Sequence, residues 1–128
     1  MSNRVNFFEV GFKTIRPLLA LGGYLSKSPV EKQLQHLIEM RISQINGCAY
    51  CIDMHSKDWL ANGGDLKKLF VLDAWRSSEL YSDRERAALA WAEAVNALGP
   101  DGVPDEVFDE ALEHFDEDGL IDSRSGLI

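Results

Sequence analysis

The only two cysteines of the 128-residue chain stand as Cys48-Ala49-Tyr50-Cys51, and His55 follows four residues after the second. At 100° per residue, a helix places Cys51 about 60° and His55 about 20° behind Cys48. Ile52 and Trp59 fall on the same side, so both sulfurs and the imidazole share the apolar, inward face. Cys48 is expected in the first turn after Gly47, where unpaired backbone N–H groups and the helix dipole favour a thiolate. An ordinary thiol is only ~3% ionised at neutral pH, and lowering its pKa by ~1.5 units, worth about 2 kcal/mol, makes roughly half of it nucleophilic. His55, one turn beyond Cys51, is spaced to take that cysteine's proton directly. A spacing of three also brings the Cα atoms to about 5–6 Å, which a disulfide accepts.

Three readings compete for this constellation. In a redox reading, a thiolate attacks an O–O or S–S bond and the second cysteine resolves the product. In a metal reading, Cys48, Cys51 and His55 hold zinc with His36 or Glu39 as a fourth ligand. In the third, the cysteines are small core fillers and His55 is a satisfied polar residue. Redox leads, because the zinc reading lacks a second C-x-x-C or H-x-H pair and its ligands on one continuous helix splay poorly into a tetrahedron.

The elements that position these residues read as helices. Asn6 to Leu25 carries Phe8, Phe12, Ile15 and Leu19 on one face, with Pro17 as a kink or restart. Ser28-Pro29-Val30-Glu31 reads as a capping box that starts the next helix. That helix carries the apolar stripe Leu34, Leu37, Ile38, Ile42 and Ile45 and stops at Asn46-Gly47. Glu39 and His36 fall off the stripe, which makes a solvated face their default. Arg41 points into it and needs a carboxylate partner that the sequence does not identify. Further helices are expected from about Cys48 to Ala61, from Leu66 to Trp75, from a second capping box at Ser82-Asp83-Arg84-Glu85 to Leu98, and from Pro104 to Phe115. No period-two alternation survives, so the fold class is all-α, with about six helices in one domain over residues 1–128.

Composition narrows the function. Thirteen basic against twenty-one acidic side chains give a net charge of −8. Such a surface repels phosphate backbones and anionic lipid, which argues against nucleic-acid and membrane partners. The longest apolar run, Pro17 to Leu21, is far short of the ~20 residues of a spanning helix. Glu9, Lys13 and Arg16 interrupt anything resembling a signal peptide, and a cytoplasmic location is expected. Glu85 reads as a capping residue and Trp59, Trp75 and Trp91 as core or interface anchors. His114 reads as an exposed surface residue, and Tyr50 as a packing residue.

From Leu37 to Lys57 the chain reads LIEMRISQINGCAYCIDMHSK. This block resembles the core signature of the carboxymuconolactone decarboxylase superfamily, in its alkylhydroperoxidase AhpD-like branch. The resemblance extends to RVNFF near the start, to the segment around Ala74-Trp75-Arg76, and to Asp83 through Trp91. It implies an AhpD-like helical bundle and a thiol-dependent hydroperoxide reductase. Cys51 would then be peroxidatic and Cys48 resolving, although the dipole argument favours Cys48 as the more acidic thiol. His55 would join a proton relay with a glutamate of the preceding helix. Glu39, nine residues before Cys48, is assigned that role; some members place the carboxylate twelve before, where this chain has His36. The resemblance implies no cofactor, no metal, an external dithiol reductant (lipoyl-bearing or thioredoxin-like) and a homo-oligomer, trimeric or hexameric. Relatives continue into another long apolar helix, which the polar segment from Ile121 to Ile128 is not expected to supply. Apolar surface on the alanine-rich helix is then expected to await a neighbouring subunit. A dithiol–disulfide exchange protein and a non-enzymatic, zinc-stabilised module are the alternatives.

Overall fold

The structure, a computed structural model, describes residues 4–97 and 99–125. Leu98, the expected end of the alanine-rich helix, and Gly126-Leu127-Ile128 lie outside the described residues, as does the side chain of Phe8. In chain order the elements are α1 (Phe7–Val10), α2 (Phe12–Leu25), α3 (Lys32–Asn46), α4 (Ala49–Ala61), α5 (Leu66–Phe70), a 3₁₀ helix (Leu72–Ser77), α6 (Asp83–Ala97), α7 (Asp105–His114) and α8 (Glu117–Ser125). The described residues contain no strand, as expected. The helices outnumber the expected six because the first one divides, the Leu66–Trp75 stretch splits into a short α-helix and a 3₁₀ helix, and α8 forms.

The first division occurs at Gly11, not at Pro17, which sits inside α2. Gly11 serves as the N-cap of α2, and the helix continues through Pro17 at the cost of the one backbone hydrogen bond that proline cannot donate. The face expected to be buried on α2 is mostly bare. Ile15 is buried, but Phe12 is 54% and Leu19 62% exposed. The Ser28 capping box also does not form. Helix α3 begins at Lys32 with Glu31 as its N-cap and no side-chain cap bond. Ser28 Oγ instead donates to Asp122 on α8 at 2.7 Å. The box at Ser82 does form: Glu85 N–H donates to Ser82 Oγ, and Ser82 N–H to Glu85 Oε1, both at 3.1 Å.

Helix α3 is the centre of the fold. Leu34, Leu37, Ile38 and Ile42 are buried as the stripe predicts, while Ile45 at its end is 45% exposed. Met40 and Ser43, off that stripe, are also buried. The helix packs on α4, on α6 and on the 3₁₀ helix, so more than one face is covered. Arg41 finds its partners here. Its Nε donates to Glu93 on α6 at 2.7 Å, and a terminal nitrogen meets Asp73 at 2.8 Å. Glu93 also accepts from Trp75 Nε1 at 3.0 Å and from Arg76 at 2.6 Å. Burial pushes the Glu93 carboxyl up, but the bonds from Trp75, Arg41 and Arg76 prevail and hold it below its ordinary value.

Trp59 and Trp75 are core residues, and Trp91 is a partly buried anchor that donates to Ser123 Oγ at 3.2 Å. Trp59 lies so close to Gly64 that a Cβ there would enter the indole, which explains the glycine after α4. Helix α8 buries Leu120 and Asp122 against the bundle. The polar tail thus forms a short helix, because one leucine and a partnered aspartate suffice to dock nine residues. On α6, Ala87, Ala88, Leu89 and Ala92 are buried. None of the exposed large apolar residues is on the alanine-rich helix as expected; they include Phe12, Leu18, Leu19 and Tyr24 on α2, and others on α4, α5, α7 and α8. His114 is half-buried, and its carbonyl accepts from Arg84.

Candidate active site

Gly47 adopts the left-handed conformation at φ +65°, ending α3 as its sequence position predicts. The chain turns there directly into α4, so the two helices that carry the candidate residues are joined by a minimal connection. Cys48 is the N-cap of α4 rather than a first-turn residue. Its Sγ accepts the Cys51 backbone N–H at 3.2 Å. The cap sulfur thus receives one of the N–H groups left free at the helix start. Cys48 and Cys51 are joined as a disulfide with their Cα atoms 5.3 Å apart, and both are half-buried. Tyr50 between them is 77% exposed, not the packing residue expected.

One turn further along α4 lies His55, 18% exposed. Its Nδ1 stands 3.2 Å from Glu39 Oε2 on α3. His36, a turn earlier on α3 and 12% exposed, brings its Nδ1 to 3.4 Å from the same oxygen. Neither His36 nor Glu39 is on a solvated face. Both lie against α4 beneath α2, whose Leu18, Leu21 and Leu25 line a cleft of about 410 Å³ with His36, Glu39, His55 and Asp58. The off-stripe positions of α3 are inward because another layer covers them.

The alignment within this cluster is incomplete. Both nitrogens of His36 and Nδ1 of His55 are buried without a well-directed hydrogen bond. The contacts to Glu39 are at hydrogen-bonding distance but off the ideal N–H direction. The Glu39 carboxylate raises the His55 pKa above its ordinary value; burial opposes this, and the charges of Glu39 and Asp58 add to it. Asp58 was not anticipated, although its position three residues after His55 on one helix puts it on the same face. No hydrogen bond joins His55 to either sulfur among the described residues. The nearness of Cys48, Cys51 and His55 is set within one helix, while the meeting of His36, Glu39 and His55 requires α3 and α4 to pack.

The ligand set of the zinc reading is not assembled, because the two sulfurs are bonded to each other. Among the described residues, one group has the donor types and closeness of a metal site: His36, Glu39 and His55, whose ligand atoms lie within 4.8 Å of one another.

Known proteins are similar to this chain over most of its length. The carboxymuconolactone decarboxylase family matches residues 15–94. The chain is 34% identical over 122 residues to the uncharacterized protein YdfG of Bacillus subtilis, covering 95% of this chain and 83% of that protein. It is 35% identical over 94 residues to the uncharacterized protein YnjA of Escherichia coli, covering 73% of this chain and 51% of that one. A crystal structure from Agrobacterium tumefaciens, of a protein of unknown function described as a candidate antioxidant defence protein AhpD, superposes with a TM-score of 0.90 at 32% identity. That match covers 98% of this chain and 86% of the other.

Proposed function

This chain belongs to the carboxymuconolactone decarboxylase family, and from that premise we propose that it is an AhpD-like, thiol-dependent hydroperoxide reductase. The observation that carries this reading is the Cys48–Cys51 disulfide one turn ahead of His55, with Glu39 at 3.2 Å from the imidazole. Such a pair can be both the oxidised product and, once reduced, the reagent.

The Cys51 thiolate attacks the terminal oxygen of a hydroperoxide. The O–O bond breaks, the sulfur becomes a sulfenic acid, and the alkoxide takes a proton to leave as alcohol. Cys48 then displaces water from that sulfur and closes the disulfide. An external dithiol, lipoyl-bearing or thioredoxin-like, reduces the pair and is itself oxidised. His55 takes the Cys51 proton and returns it to the alkoxide. With Nδ1 held beside Glu39, Nε2 is the nitrogen for that transfer. Glu39 is a positioning residue, and His36 is the alternative participant at the same oxygen. The Cys51 backbone N–H that Cys48 Sγ accepts supports the role of Cys48 in regeneration, because a stabilised thiolate leaves a disulfide faster.

The bare apolar residues of α2 support a homo-oligomer, trimeric or hexameric, in which a second copy covers them. No helix among the described residues is long and apolar enough to cross a membrane, and cytoplasmic reducing conditions suit the cycle.

Hydroperoxide consumption with a dithiol reductant tests the reading. Wild type should turn over and lose two thiols per chain on stoichiometric peroxide, and Cys51→Ser should reduce turnover to background. A protein that exchanges disulfides but consumes no peroxide in either form would instead be a dithiol–disulfide exchange protein.

A further inference from the structure

Two buried imidazole nitrogens approach one carboxylate in the cleft under α2. His36 satisfies neither Nδ1 nor Nε2, and His55 leaves Nδ1 without an aligned bond. Burying a polar atom in that condition is unfavourable, so such an array favours an electrophile that its members can share. We propose that His36, Glu39 and His55 form a binding site for a divalent transition ion of the Zn²⁺ class, separate from the cysteines.

The donor set selects the ion. Two imidazole nitrogens and one carboxylate oxygen suit Zn²⁺, Co²⁺ or Ni²⁺, whereas Mg²⁺ and Ca²⁺ prefer oxygen throughout. The geometry is close to what such an ion needs. Tetrahedral coordination with bonds of about 2.0–2.1 Å sets neighbouring ligand atoms about 3.4 Å apart. The two histidine-to-Glu39 distances are 3.4 and 3.2 Å, and all ligand atoms lie within 4.8 Å. Closing the site therefore needs a small side-chain adjustment.

The ligands also come from two helices. His36-x-x-Glu39 presents two on successive turns of α3, and α4 supplies His55 from the side. Helical bundles build metal centres from such i, i+3 pairs facing a second helix. The open cleft leaves room for a water as a further ligand, with the Asp58 carboxylate on the same wall. Lys32 is the cation lining that cleft. Against it, Glu39 and Asp58 leave a net negative charge when both imidazoles are neutral, which suits a dication. On the peroxidase reading, an ion on Nδ1 of His55 leaves Nε2 protonated and withdraws that histidine from proton transfer. The site would then be inhibitory, a consequence that rests on that reading while the binding itself does not.

The test is a Co²⁺ titration of the disulfide form, in which the sulfurs offer no thiolate, followed by displacement with Zn²⁺. One Co²⁺ per chain is expected, with ligand-field absorption that Zn²⁺ abolishes. His36→Asn and Glu39→Gln should each weaken binding by at least the about 10–100-fold that even outer-shell changes cause. Far-UV circular dichroism should be unchanged in both. Absence of binding by the folded wild type would overturn the proposal. So would stoichiometric binding that survives both substitutions. Peroxide turnover plays no part in this measurement, so failure of the enzymatic reading and failure of the metal site are separately visible.

Discussion

Helix α3 carries two partly buried polar clusters, and they are built differently. Around Arg41, every group has a partner: the guanidinium meets Glu93 and Asp73, and Glu93 also receives Trp75 and Arg76. Around Glu39, two histidines approach one oxygen and their buried nitrogens lack aligned bonds. The first arrangement fixes α3 against α6 and the 3₁₀ helix. The second, beside a cleft and one turn from a disulfide, holds groups that can exchange a proton or accept an ion. A satisfied network has nothing left to offer a ligand, whereas an unsatisfied one retains its donors and acceptors.

Substitutions should separate the two clusters. The largest effect is expected from Glu93→Ala, which leaves Arg41 with only exposed Asp73 as a charged partner. Breaking a buried pair of this kind costs about 3–5 kcal/mol, measurable as a lower denaturant midpoint. Loss of less than about 1 kcal/mol would mean that the Arg41 cluster is no more structural than the Glu39 one. Glu39→Gln should have the converse profile. Stability should change by less than about 1 kcal/mol, while alkylation of the reduced thiols at neutral pH slows about tenfold because His55 loses the charge that raises its pKa. An unchanged alkylation rate would remove the relay.

The smallest effect is a difference in the sign of pH dependence. The His55 pKa is raised in the folded state. Its contribution is therefore fully present below the unfolded value of about 6.5 and is lost as pH rises through the higher folded value. Glu93 is lowered from its ordinary value of 4.5. Its contribution is present above that value and is lost as pH falls through the lower folded one. Wild type should thus exceed Glu39→Gln in stability at pH 6 more than at pH 9, in buffers chosen on either side of about 6.5. Equal differences at the two pH values would show that the Glu39 contact does not stabilise the charged imidazole.

Much of the fold was readable in order along the chain. The Gly47 stop, the Ser82–Glu85 capping box and the Leu34–Ile42 stripe are local, because each depends on residues within one or two turns. The Ser28 box was misread since its serine had a stronger partner, Asp122, far away in the chain. The division at Gly11 and the bare face of α2 were also missed. A periodic pattern shows that a face is apolar, but not what covers it. At the site, the Cys48–Cys51 spacing is sufficient for a disulfide, whereas the apolar stripe of α3 marks only one buried face and leaves Glu39 and His36 outside it, although a second layer encloses them.

The amino-acid order alone determined the helical class and the nearness of the two sulfurs, since both follow from backbone geometry over a few residues. It also placed His55 one turn behind them. Which carboxylate meets that imidazole, which one neutralises Arg41, and the enclosure of His36 were decided only when α3 was surrounded by α2, α4 and α6. These are contacts between residues distant in the chain, and their distances depend on how whole helices pack rather than on spacing within any one of them.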